Sequence, residues 1–266
     1  MKRGSAFFYF YGAANVFIQN ERNKQKISID SDVPVKYFFK RNPSIKDAIE
    51  NLGSPHTEIV AIVVNSKPEN FDYLLHDQDV VDVYSFDTVP DVPAEFLLPN
   101  RPEGKPAFIL DVHLGGLARY LRFCGFDTLY DIADPGDVAL ASISDQASRI
   151  LLTRDIGLLK HAKIRYGHWL RNTDPKKQLI EVNSRYQLNH FFKPFSRCSL
   201  CNGLISEVDK KQLKNKISTS VYNQFERFWE CESCGQIYWK GKHYSTIKKE
   251  INELINKKVD QAEIFS

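Results

Sequence analysis

The chain has no run of about 18 apolar residues, so no segment reads as a membrane-spanning helix. Internal repeats and low-complexity tracts are also missing, which leaves no basis for a repeat architecture. Net charge is scarce at +3, too little to announce a polyanionic partner, because such a partner needs a local basic surface and not a total. Cysteine is scarce as well, at five in 266 residues. Four of the five form two close pairs and Cys124 stands alone on an apolar helix face, a pattern that suits a reducing compartment better than a disulfide framework. The expected localisation is therefore cytoplasmic. Lys2 and Arg3 ahead of apolar residues keep a signal peptide as the competing reading, but the segment runs directly into an alternating, strand-like pattern.

What is present describes a folded protein, with 42% hydrophobic and 26% charged residues. A single core does not fill 266 residues, so two domains are expected, or three if one is a small metal-held module. Pro90, Pro93, Pro99, Pro102 and Pro106 crowd one stretch, block regular ladders and mark an extended connection. A second shift falls near Pro194, where strand-and-helix patterning gives way to Cys-Asn-Gly turns. The expected layout is a first domain at 1–89, a Pro-rich linker at 90–106, an α/β domain at 107–194 and a cysteine-bearing module with a C-terminal helix at 195–266.

In the first domain, strands are predicted at 6–18, 26–29, 58–64 and 80–86, with one helix at 44–52. The helix has a capping box in Ser44 and Asp47, apolar Ile45, Ala48, Ile49 and Leu52 at helical spacing, and Gly53 for a left-handed C-terminus. One amphipathic helix crossing a four-stranded mixed sheet is a β-grasp. With the phrases Ser44–Glu50, Ile62–Asn65 and Asp77–Tyr84, the segment from 5 to 88 resembles the ubiquitin-like and sulfur-carrier proteins. Sulfur carriers end in an exposed Gly-Gly, whereas this chain continues through Phe86-Asp87-Thr88-Val89-Pro90. A docking role toward a protein partner is expected instead of carrier chemistry.

The second domain alternates strand and helix, which argues for a parallel sheet with crossover helices. Strands are predicted at 107–112, 126–130, 149–153 and 167–170, and helices at 114–124, 137–148 and 175–186. Cys124 belongs to the apolar face of the first helix. Ligands gather beyond the carboxyl ends of parallel strands, and three acids map there: Asp111, Asp137 and Asp155. Three carboxylates brought together repel one another unless a hard cation neutralises them, and their oxygens suit Mg²⁺ or Mn²⁺. Asp137 and Asp155 could equally be helix caps. Asp134, Asp145 and Asp174 are candidates for a further ligand. Arg119, Arg122 and Arg154 are placed to hold phosphates, with salt bridges to Asp127 or Asp131 as the competing role.

The run Phe108-Ile109-Leu110-Asp111-Val112-His113-Leu114-Gly115-Gly116-Leu117-Ala118-Arg119 continues to Thr128. Then come Arg149–Asp155, Gln178-Leu179, Arg197–Asn202 and Tyr238–Tyr244. Over residues 106–245 these motifs resemble the PIN-like family named for the C-terminal RNase domain of the mut-seven exonuclease. The resemblance implies an α/β fold with a PIN-like parallel sheet, a ribonuclease using Mg²⁺ or Mn²⁺, a fused zinc ribbon, and Asp111 and Asp155 as metal ligands. Asp137 transfers less directly, because PIN domains often carry Glu at that position.

Cys198-x-x-Cys201 and Cys231-x-x-Cys234 supply a tetrahedral thiolate set, and four thiolates leave no open position for catalysis. A structural Zn²⁺ is expected; disulfides or an iron–sulfur cluster are the alternatives. Asn202-Gly203 and Gly235 fit the tight turns after each pair. Trp239 and Lys242, with Tyr238, Lys240 and Tyr244, form an aromatic and basic edge suited to unpaired bases, or else to packing the small ribbon. The expected function is metal-dependent hydrolysis of RNA phosphodiesters; the alternative is a non-catalytic RNA- or ribosome-binding adaptor.

Overall fold

A computed structural model describes residues 4–18, 33–88, 90 and 92–256. In chain order these form β1 (Gly4–Tyr11), β2 (Val35–Phe39), α1 (Ile45–Asn51), β3 (Ile59–Val64), β4 (Lys67–Glu69), β5 (Val80–Ser85) and β6 (Phe108–Leu110). There follow α2 (Gly115–Phe123), β7 (Thr128–Tyr130), α3 (Asp137–Gln146), β8 (Ile150–Thr153), α4 (Ile156–Leu159) and β9 (Gly167–Trp169). The rest is α5 (Pro175–Tyr186), β10 (Ile205–Val208), α6 (Thr219–Gln224), β11 (Phe228–Cys231), β12 (Ile237–Trp239) and α7 (Lys242–Asn256). Two compact units result: Met1–Pro102 with Gly136–Trp169, and Glu103–Pro135 with Leu170–Ile264.

The first unit holds a mixed sheet in the order β2-β1-β5-β3-β4. β1 runs parallel to β5 and antiparallel to β2, and β3 is antiparallel to both β5 and β4. Ser44 caps α1 by accepting from the Asp47 amide, and Ile45, Ala48 and Ile49 enter a core with Phe8, Phe10, Ile62 and Val83. That is the expected β-grasp; among the described residues β2 and β4 are strands that were not predicted. Asn65 and Ser66 both take left-handed φ, 48° and 67°, which closes the β3–β4 hairpin with a turn matching the strand twist.

β1 is shorter than the predicted 6–18. Gly12 turns the chain at φ 67°, and a side chain there would collide with Asp87 and Thr88. The Asp87 carboxylate accepts from the Ala13 amide at 2.9 Å, and residues 14–18 wind into helix and bury Phe17 and Ile18. The apolar run thus leaves the strand at Gly12, where a distant carboxylate favours a helix start. The strand predicted at 26–29 lies outside the described residues, and β2 was not foreseen.

The same unit contains α3, β8, α4 and β9, with β8 and β9 parallel in the register Leu152↔His168 and Thr153↔Trp169. All four residues of β8 are buried, as a strand covered on both faces must be.

In the second unit β6 and β7 pair in parallel. α2 buries Leu117, Ala118 and Leu121, and Cys124 follows at 0% exposure. Burial pushes the Cys124 thiol up to about 12, so it is a core residue with no thiolate to offer. Gly116 lets α2 approach α5, since a Cβ would lie 2.5 Å from the Pro175 ring. β10, β11 and β12 form a separate antiparallel sheet that carries the paired cysteines.

Candidate metal centre and candidate acidic site

Each cysteine pair sits on the same short loop. The Asn202 amide donates to the Cys198 carbonyl at 3.0 Å, and the Gly235 amide to that of Cys231 at 2.9 Å. Asn202 and Gly235 have φ of 71° and 70°, the left-handed turn that aims both sulfurs of a pair the same way. The antiparallel strands then bring the loops face to face, with Sγ separations of 3.7 Å for Cys198–Cys234 and 3.4 Å for Cys201–Cys231. All four Sγ lie within 4.8 Å of one another. Zn–S bonds of about 2.3 Å place tetrahedral sulfurs roughly 3.8 Å apart, so the set fits one ion.

The electrostatics around the set favour a cation. Burial alone would raise the Cys198 thiol. Hydrogen bonds from the Tyr238 hydroxyl and from backbone amides outweigh it and bring the thiol down to about 7. Burial and hydrogen bonds with Cys231 and Cys198 raise the Cys201 thiol. At Cys234 a backbone bond with Gln236 pulls down, but burial and bonds with the other three sulfurs outweigh it and push the thiol up to about 12. Four sulfurs so close do not ionise together without positive charge between them.

The first loop is also tied to the parallel strands of its own unit. Asn202 Oδ1 accepts from the Thr128 amide at 2.9 Å, and its Nδ2 donates to Asp127 at 2.9 Å. Arg122, expected to hold phosphate, is 4% exposed. Its guanidinium donates to the carbonyls of Thr128 at 3.0 Å and Leu200 at 2.7 Å. It is a strut under the cysteine loop, because a buried guanidinium has to spend its donors on carbonyl partners. Asp127 bonds to Arg197 and Asn202, and its charge also acts on the Arg122 guanidinium.

Asp111 ends β6 and opens a 3-10 turn, its carboxylate accepting from the Val112 amide at 2.6 Å. The next carbonyl, that of Val112, accepts from the Tyr130 hydroxyl at 3.0 Å; a side chain on Gly115 would fall 2.7 Å from that hydroxyl. In the other unit Asp155 follows β8 and caps α4, with Oδ1 accepting from the Gly157 amide at 2.6 Å. Asp137 is exposed in the first turn of α3. Capping and metal ligation are compatible, since a carboxylate has two oxygens.

Among the described residues the four cysteines are the one group of three or more Cys, His, Asp or Glu whose ligand atoms all lie within 4.8 Å. Of the further candidate acids, Asp145 pairs with Arg165 at 3.0 Å and Asp174 caps α5. His113 is exposed.

Comparison with protein families decides what the motifs mean. The family described as Mut7-C RNAse domain matches residues 106–251, more than half of the chain, and that described as Mut7-C ubiquitin matches residues 4–89. The chain belongs to the Mut7-C family. No curated protein and no solved structure matches it. In this Mut7-C chain the RNase-family match includes β6, α2, β8 and the whole four-cysteine sheet, so the ribbon belongs to the matched domain.

Three basic or aromatic candidates of this Mut7-C chain meet at one cavity of about 790 Å³ in the second unit: exposed Arg119 and Lys242, and half-buried Trp239. Phe195, Arg197 and Tyr238 line it as well, and sequence reasoning passed over Phe195. Phe195 holds φ 70°, rare for a bulky residue, and packs edge-on against Trp229, Tyr238 and Tyr244. Lys240 lies 4.9 Å from the Trp229 ring centre. Arg154 belongs to the other unit, exposed beside Asp155. No helix among the described residues is long and apolar enough to cross a membrane.

Proposed function

We propose that the protein is a PIN-like, metal-dependent ribonuclease that hydrolyses RNA phosphodiesters. The family match over 106–251 carries this reading. It is supported by Asp111 and Asp155, which stand at the carboxyl ends of β6 and β8, where parallel strands deliver functional side chains. Asp111, Asp137 and Asp155 would hold Mg²⁺ or Mn²⁺, and the bound ion would supply an activated water and neutralise charge on the phosphate. The helix and 3-10 openings at Asp155 and Asp111 fix each carboxylate through its own backbone amides. Arg119 and Arg154 bring positive charge for phosphate oxygens. The cavity beside Trp239 and Lys242 takes an unpaired base and its backbone.

The ribbon's four cysteines would hold a structural Zn²⁺, and the β-grasp domain would engage a protein partner. Cysteines paired for metal binding and not for disulfides support a cytoplasmic location.

The deciding experiment is cleavage of single-stranded RNA by purified protein with Mn²⁺. Asp111→Asn with Asp155→Asn should cut the rate by about a hundredfold or more; a double variant as fast as the parent removes the assignment. One observation favours a second reading, a non-catalytic RNA- or ribosome-binding adaptor: among the described residues the cysteines, and not the acids, form a group of three or more ligand atoms within 4.8 Å. That adaptor would bind RNA with strong salt dependence and cleave nothing.

A further inference from the structure

Glu58 closes a 3-10 turn of the β-grasp and is fully buried. A buried carboxylate needs charged or hydrogen-bonding partners to offset lost hydration. Two of them come from β9 and not from the β-grasp. Its Oε1 accepts from the Trp169 amide at 2.7 Å and from His168 Nδ1 at 3.0 Å, and His168 is also fully buried. Because a carboxylate only accepts, Nδ1 carries the proton. From the β-grasp side Phe17 packs on the Trp169 ring with centroids 5.2 Å apart.

Trp169 passes this anchoring on. It stands in register with Thr153, and its indole Nε1–H donates to the Arg154 carbonyl at 3.1 Å. The Thr153 hydroxyl accepts from the Asp155 amide at 2.9 Å. The peptide between Arg154 and Asp155 is thus gripped at its carbonyl by Trp169 and at its amide by Thr153. Beyond it, the Asp155 carboxylate takes the amides of Gly157 and Leu158.

We propose that the β-grasp domain is a built-in positioning element of the nuclease site: Glu58, acting through Trp169, sets the Arg154–Asp155 peptide and so the direction of the Asp155 carboxylate. Glu58 and Trp169 are positioning residues that touch no reacting atom. The inference rests on the reading of Asp155 as a metal ligand. It gives the β-grasp a task inside the enzyme, distinct from docking a partner.

Two variants separate positioning from simple stapling. Trp169→Phe keeps the ring on Phe17 and the amide bonded to Glu58, and removes only the donor to Arg154. Glu58→Gln keeps an acceptor for the Trp169 amide and removes the charge facing His168. Hydrogen–deuterium exchange of the full chain, read at Gly157 and Leu158, should quicken about tenfold in Trp169→Phe and less in Glu58→Gln, with β3 amides unchanged. In Mn²⁺-dependent RNA cleavage, kcat should fall about tenfold while KM stays within about twofold. Unchanged exchange at Gly157 and Leu158 in both variants overturns the proposal, whatever the cleavage result. Quickened exchange in a protein whose parent form cleaves no RNA would sink the nuclease reading and uphold the coupling of Glu58 to the Asp155 turn.

Discussion

The cysteine ribbon and the acidic site differ in when they are built. Four sulfurs stand within 4.8 Å of one another before any ion is considered. The three acids instead open helices and 3-10 turns, and among the described residues they form no group of three whose ligand atoms all lie within 4.8 Å. The difference follows from chemistry. Uncharged thiols can be stacked by a small sheet at little electrostatic penalty, whereas three carboxylates repel until a cation arrives. The cysteine set is thus a product of folding, whereas the proposed acidic site would be completed by its cation.

The largest effect that could break this contrast is loss of the proposed zinc. Structural zinc contributes on the order of 10–16 kcal/mol in small domains, so a strong chelator or Cys198→Ser should unfold β10–β12 while β3 keeps its amide protection. Ribbon amides that stay protected in metal-free protein would mean that packing alone, through Phe195, Trp229 and Tyr244, holds the sheet.

A smaller effect sharpens the contrast inside the ribbon. Asn202 and Gly235 share a conformation, but only Asn202 bonds to Thr128 and Asp127. Denaturant melts should show Asn202→Gly destabilising by about 1–3 kcal/mol and exposed Gly235→Asn by about 0.5 kcal/mol or less. Equal losses would show that the turn matters and its side-chain anchor does not.

RNA affinity should respond least to Lys242→Ala, which removes one phosphate contact and lowers the salt slope by about one. Trp239→Ala should weaken binding by about 1–3 kcal/mol through lost stacking. A fluorescence-anisotropy titration in two salt concentrations checks both, and unchanged binding in both variants would make the cavity a packing defect.

Legibility in the sequence followed the reach of each interaction. The cysteine loops, the Ser44 cap and the bounds of α5 depend on neighbours a few residues away, and the structure has them where the spacing predicts. The end of β1 depends on Asp87, far along the chain, so Phe17 and Ile18 looked like more strand. Arg122 looked like an exposed phosphate ligand because its acceptor at Leu200 lies 78 positions away. Glu58 gave no sign of function for the same reason: its partners are 110 and 111 positions distant. The strand-end acids were found by topology alone, and their gathering around an ion has no local signature.

The most direct test of the central claim is a Mn²⁺ titration of the zinc-loaded chain followed by electron paramagnetic resonance. The account predicts a tight Mn²⁺ population that Asp111→Asn, Asp137→Asn and Asp155→Asn each weaken by about tenfold or more. A parent chain that binds no Mn²⁺, or three substitutions that leave its binding unchanged, would contradict it.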